Sequence, residues 1–167
     1  MRFRWAKESD VALILEFICA LAEYEGMREE VTADETLLKE WLFEKKAAEV
    51  LFVSEGEETV GFALYFYNFS TFLGKAGIYL EDLYVKPSHR GRGYGKALLC
   101  ELASLAKRQG CGRLEWWCLD WNQPSIDFYQ AMGAEAMSEW TVYRVAGKQL
   151  EQLAAQTGLS RSALGKY

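Results

Sequence analysis

The chain reads as a single α/β domain, residues 1–167, built on a mixed sheet. Three observations predict it. Strand-like runs and helical apolar stripes both recur along its length. Two β-rich runs flank the short turn "EGEE" in "VLFVSEGEETVGFALYFYNF", which reads as a hairpin. A further strand, "AGIYLEDLYV", passes through a glycine-rich turn into a helix, with another strand after it. No repeat, low-complexity stretch or linker divides the sequence.

Taken in order, "FRW" is a short first strand. Ser9 or Asp10 caps a helix whose Ile14, Phe17, Ile18 and Leu21 follow the i, i+3, i+4, i+7 stripe. After an acidic turn around Gly26, Thr32 or Asp34 opens a second helix carrying Leu37, Leu38, Trp41 and Leu42, with Trp41 expected in the core. The hairpin and "AGIYLEDLYV" follow. "YGKALLCELASLAKRQG" is a helix that buries Leu98, Leu99, Leu102, Leu105 and Ala106 and stops before Gly110. "RLEWWCL" is a strand, and "NQPSIDFYQAMG" a short helix with Asn122 as N-cap, Pro124 in its first turn and Gly133 at its end. "EWTVYRV" is expected as a last strand and "KQLEQLAAQ" as a C-terminal helix. The tail "TGLSRSALGKY" is assigned to no element.

Composition excludes several classes. Half the residues are apolar, so the chain is globular and not disordered. No apolar run approaches the ~20 residues of a membrane span, and "MRFRWAKESD" is too polar for a signal peptide, so the cytosol is the expected compartment. A net charge of -5 argues against nucleic acid as a partner. Cys19, Cys100, Cys111 and Cys118 have no CxxC spacing and His89 is the single histidine. No metal site is expected, and the thiols read as reduced, in the core or half-buried. Charge is uneven: residues 1–58 hold 7 Lys/Arg against 15 Asp/Glu, while Lys86, Arg90, Arg92 and Lys96 crowd one loop. That distribution suits a protein that meets an anion in its middle and a cation near its N-terminal half.

The loop is "VKPSHRGRGYGKALLCEL", residues 85–102. A strand, a glycine-rich turn and a helix start make an anion site, because the first helical amides lack intrahelical partners and the helix dipole is positive there. Gly91, Gly93 and Gly95 let the backbone approach a phosphate or pyrophosphate. A Walker A loop fails, since Arg90 stands in place of its first glycine and Ala97 follows Lys96. A dinucleotide fingerprint fails too, because the spacing is GxGxG and four strand-like segments precede it. What fits is Arg-x-x-Gly-x-Gly, at Arg90, Gly93 and Gly95.

The run "YLEDLYVKPSHRGRGYGKALL" resembles the acetyl-CoA pyrophosphate loop of the GNAT superfamily of N-acetyltransferases. "LAEYEGMREEV" (21–31), "YLEDLYV" and "DWNQPSIDFYQAMGA" (120–134), in that order, resemble its spermidine/spermine and thialysine N-acetyltransferase branch. The resemblance implies a central, mixed, mostly antiparallel twisted sheet flanked by helices on both faces. It also implies acetyl-CoA as co-substrate, a small cationic amine as acceptor, direct attack in a ternary complex, and a homodimer. Backbone groups of Leu83, Tyr84 and Val85 would hold the pantetheine arm. Arg90, Gly91, Arg92, Gly93, Tyr94, Gly95 and Lys96 would take the pyrophosphate, with Asn122 and Ser125 as further coenzyme contacts. Tyr24 and Glu25 fall at the amine-binding positions, and Tyr129 at that of a general acid. Met132 stands where an arginine is usual in polyamine acetylators, and Gly26 where an aromatic is.

Such a reaction needs a proton removed from the amine, a donor for the tetrahedral oxyanion and a proton for the departing thiolate. Glu81 is the candidate for the first. In regular alternation it shares a face with Tyr79, Leu83 and Val85, and a carboxylate among apolar neighbours has a raised pKa suited to proton relay. The structural reading of Glu81 and Asp82 is an ion pair with an arginine such as Arg90; for Asp82 this reading is preferred. Asn122 serves equally as a helix cap, and Tyr129 equally as core beside Phe128. At the level of function the alternatives are a protein lysine or N-terminal acetyltransferase and a non-catalytic acyl-CoA-binding module.

Overall fold

The computed structural model describes residues 1–156, and the tail from Thr157 lies outside the described residues. Five strands lie side by side in sequence order: β1 (Arg2–Trp5), β2 (Glu49–Glu55), β3 (Glu58–Ser70), β4 (Lys75–Val85) and β5 (Leu114–Trp116). β1 to β4 pair antiparallel, and β5 runs parallel to β4. A parallel neighbour requires a crossover, here α3 (Tyr94–Arg108). The hairpin turns at Gly56, whose φ of 58° suits glycine, and Glu55 pairs with Glu58.

Helices flank the sheet. α1 (Val11–Tyr24) buries Val11, Ile14 and Phe17. Ile14 and Phe17 pack with Val50, Phe52, Phe62, Leu64 and Tyr84, one face of β2, β3 and β4. α3 buries the five residues its stripe predicts, together with Tyr94. Asp10 precedes α1, but its carboxylate accepts from the Lys7 amide (2.7 Å) and Arg4 (2.7 and 2.9 Å) rather than capping the helix. Asp34 caps α2 (Glu35–Lys39) by accepting from the Leu37 amide at 2.8 Å.

Four expectations need correction. After α2 the backbone widens into a π turn, Glu40–Glu44. The altered periodicity leaves Trp41 half-exposed instead of in the core, with the Lys45 ammonium 3.8 Å from its ring centre. Cys100 is exposed on α3, while Cys19, Cys111 and Cys118 are half-buried free thiols. β5 is shorter than "RLEWWCL". The strand expected over 139–145 does not form: that stretch is neither helix nor strand, and Trp140, Val142, Tyr143 and Val145 are exposed. β-rich composition makes a strand only where a neighbour accepts its backbone bonds, and no described strand pairs with it.

The chain divides into two compact units, one spanning Met1–Phe128 and a second that begins at Tyr129. The first holds the whole sheet and α1 to α3. α4 is Gln123–Ala131, and Gly133, at φ 86°, follows its end. The second unit contains α5 (Gly147–Ala155), the helix expected there.

Candidate active site

The site grows from an irregularity in β4. Leu64 of β3 pairs with Asp82, yet the next residue, Tyr65, pairs with Leu80. Glu81 is the extra residue of a β-bulge, which breaks alternation and turns the following residues over. Asp82, not Glu81, therefore shares the face of Tyr79, while Leu83 and Val85 lie on the opposite one. The alternation expected for Glu81 does not hold, and burial follows: Glu81 is exposed and Asp82 half-buried.

Three carboxylates meet at this point. Burial, and then the neighbouring charges of Glu81 and Glu25, push the Asp82 carboxyl up to about 7. Glu25, just past the end of α1, is also raised by burial. The Cys118 thiol is raised by burial first and by Glu25 and Asp120 next, which places β5's exit beside the same cluster. Asp82 makes no ion pair among the described residues, so the arginine partner expected for it is absent there. Arg90 instead donates Nε–H to the Val85 carbonyl at 3.0 Å. Sequence reasoning assigned Asp82 to an ion pair because nothing within "YLEDLYV" announces the bulge.

Beyond the bulge, β4 has a free edge. On one side Leu83, Tyr84 and Val85 pair with Ala63, Phe62 and Gly61; on the other, pairing with β5 ends at Leu80 and Trp116. The edge of Leu83–Val85, which no described strand pairs although Arg90 takes the Val85 carbonyl, leads into the glycine loop. Gly91 and Gly93 have φ of 71° and 86°, a left-handed region that a side chain strains, with open space where a Cβ would point. Gly95 differs: it is helical, and a Cβ there would touch Phe128 and Val85 at 3.8 and 3.9 Å. The Ala97 amide donates back to the Gly93 carbonyl at 2.9 Å, so the amides before it have no intrahelical acceptor. An open strand edge, unsatisfied amides at a helix start and bare glycines fit an extended acyl chain ending in a pyrophosphate.

The loop's cations are largely engaged. Lys86 bonds Glu58 at 2.9 Å, Arg92 bonds Glu55, and His89 Nε2 lies 3.3 Å from Glu55. Arg90 lies over Tyr24 and Tyr84, with its guanidinium 4.4 and 5.4 Å from the ring centres. Lys96 has no carboxylate partner among the described residues.

Tyr24 ties three elements together. Its hydroxyl donates to Asn122 Oδ1 at 3.2 Å while Arg90 covers its ring. Asn122 is buried, and the same oxygen accepts from the Ser125 amide at 3.4 Å, a helix cap for α4. Tyr129 lies on α4 at the start of the second unit. No group of metal ligands occurs among the described residues, and no described helix is long and apolar enough to cross a membrane.

Residues 15–134 match the profile of the acetyltransferase (GNAT) family. The chain belongs to the GNAT family. It is therefore an N-acetyltransferase, of a family that transfers acetyl groups from acetyl-CoA to amines. Among its relatives is a thialysine N-epsilon-acetyltransferase from Bos taurus, 37% identical over 92% of this chain and 96% of that one. An L-ornithine N5-acetyltransferase from Arabidopsis thaliana is 42% identical over 56% of this chain and 41% of its own. The solved structure of an integron cassette protein from V. cholerae superposes with a TM-score of 0.77, at 28% identity, covering 92% of this GNAT chain and 96% of that chain.

Proposed function

We propose that this GNAT enzyme acetylates the terminal primary amine of a small cationic acceptor of the thialysine, diamino-acid or polyamine kind, with Asp82 accepting the proton. One observation carries the reading: a half-buried carboxyl, pushed up to about 7, stands with Glu25 and Glu81 beside the free edge of β4. Three carboxylates attract an ammonium ion, and a base with a pKa near the working pH removes its proton efficiently. The thialysine and ornithine acetyltransferases among the relatives act on acceptors of this chemistry.

Acetyl-CoA supplies an activated acetyl thioester. The outward N–H groups of Leu83 and Val85, on either side of Tyr84, and those of the Gly91–Lys96 loop hold its arm and diphosphate, with Lys96 as the available cation. Glu25, Glu81 and Asp82 draw in the ammonium end, and Asp82 takes one proton from it. As the N–C bond forms and the C–S bond breaks, the nitrogen sheds its second proton, which replaces the one that the donor gives to sulfur. Tyr129 is the donor proposed from its motif position.

The test is a thiol-release screen with thialysine, ornithine, spermidine, spermine and a lysine peptide. Turnover with a small amine and none with the peptide is expected. Turnover with the peptide alone would replace the small acceptor by a protein. Tyr129→Phe should lower turnover by roughly 10²-fold with little change in coenzyme A affinity; unchanged turnover removes Tyr129 from the mechanism.

A further inference from the structure

We infer that Arg113, Glu115 and Asn68 form a recognition site for the paired α-ammonium and α-carboxylate of an amino acid. The preferred acceptor is then the side-chain amine of a diamino acid, not a diamine or polyamine. The inference rests on the proposed function and deepens it.

The placement follows from register. Phe66 of β3, Tyr79 of β4 and Glu115 of β5 lie level across the sheet, and Asn68 lies level with Gly77. Because the bulge returns Asp82 to the face of Tyr79, alternation puts Phe66, Asn68, Tyr79, Arg113, Glu115 and Asp82 all on one face. Asn68 Nδ2 donates to Glu115 Oε1 at 2.5 Å, and Arg113 Nη2 lies 3.0 Å from the same oxygen. Both bonds fall on Oε1, which leaves Oε2 to receive another donor. Two buried atoms of the cluster, the acceptor Asn68 Oδ1 and the donor Arg113 Nε, have no hydrogen-bond partner among the described residues. Gly77 makes room for the pair: a Cβ there would come within 2.5 Å of Asn68 Oδ1 and 2.9 Å of Arg113 Cγ.

Those two atoms are sealed against Gly77, so a ligand meets the cluster at its half-exposed Arg113 and Glu115 side chains. Its chemistry is specific. A half-exposed guanidinium beside a half-exposed carboxylate offers one face to an anion and one to a cation. An amino acid supplies both, two or three bonds apart, and the four charges then alternate. A diamine brings a second ammonium next to Arg113 and nothing for the guanidinium to bind.

Length agrees. Glu115 and Asp82 are offset by two residues along the strands, about 7 Å, and by one strand spacing of about 4.8 Å. Tyr79 stands at the corner between them, level with Glu115 and on the strand and face of Asp82, with the Phe66 ring 5.0 Å away on its far side, over β3, and Trp117 edge-on at 5.7 Å. A diamino acid whose two nitrogens are about 7 Å apart when extended would lay its chain on these rings and present its far amine to Asp82.

The experiment compares three acceptors by thiol release: thialysine, its carboxamide, and the diamine of equal length that lacks the carboxyl. Expected for the wild type is kcat/KM about 10²-fold higher for thialysine than for the other two, with acetyl on the side-chain nitrogen by mass spectrometry. Arg113→Met should erase that preference while changing the diamine less than about threefold. Equal wild-type rates for thialysine and diamine, α-nitrogen acetylation, or an equal fall on all three acceptors in Arg113→Met would overturn the inference. The carboxamide comparison decides the matter on the wild type even if the variant folds poorly. Diamines acetylated as fast as thialysine would sink this inference and leave the proposed function standing. No turnover with any amine would sink both.

Discussion

Asp82 is the residue whose ionisation should govern both rate and stability. Burial and two neighbouring carboxylates make its charged form costly, so its folded value of about 7 lies above the ordinary 3.8. A group that holds its proton more tightly when folded stabilises the fold at low pH, and that contribution is lost as pH rises from about 4 through 7. Asp82→Asn should therefore raise the melting temperature at pH 8 and leave it nearly unchanged at pH 4. Activity runs the other way, because only the carboxylate accepts a proton. The wild-type kcat/KM should climb through pH 7, and Asp82→Asn should lower it by roughly 10²-fold and flatten that limb. A pH profile of the variant that keeps the same inflection would show that another group titrates there. Tyr24 illustrates how a residue's neighbours narrow its role: its ring is covered by Arg90 and its hydroxyl is committed to Asn122. Both contacts join the end of α1 to the loop and to α4.

At the scale of the element, the strand–loop–helix unit holds three glycines with two different jobs. Gly91 and Gly93 occupy left-handed backbone, which costs a non-glycine residue about 1–2 kcal/mol. Gly95 occupies ordinary helix, where alanine is favoured by up to ~1 kcal/mol. Gly93→Ala should lower the melting temperature by about 2–8 °C and weaken coenzyme A binding by calorimetry. Gly95→Ala should leave it equal or higher. Similar melting temperatures for the two variants would mean that backbone conformation is not what the loop demands. The order strand, glycine loop, helix was legible because each part has its own local pattern. The bulge was not, since it is a mismatch between two strands, and neither "FALYFY" nor "YLEDLYV" contains it alone.

For the molecule as a whole, the aromatic core of the first unit is what presents the site. Phe17 stacks on Phe62 at 5.2 Å and meets Phe52 and Tyr84 at 6.0 and 6.1 Å. Tyr84 belongs to the free-edged end of β4, so this cluster holds in place the strand on which a coenzyme arm would lie. Phe17→Ala should cost about 3–5 kcal/mol in denaturant unfolding. A loss under 1 kcal/mol would show that the core collapses around the gap. Uneven charge, visible in the composition, resolves into two features: carboxylates at Glu25, Glu81 and Asp82, and a loop whose Arg92 and Lys86 are offset by Glu55 and Glu58. The second was not legible, because those glutamates belong to a hairpin some thirty residues earlier in the chain.

Local patterns were enough to establish the α/β class, the succession of elements through α4, the buried stripe of α3 and the glycine turn at its start, since periodicity, capping and turn chemistry act over a few residues. Contacts between distant segments decided the rest. Pairing across β3 and β4 turned Asp82 inward in place of Glu81, the end of β5 pairing left Leu83–Val85 uncovered, and the want of a neighbour kept residues 139–145 from becoming a strand. A backbone group is satisfied, and a carboxyl buried, only by what lies beside it in space, and that is settled when the chain has folded.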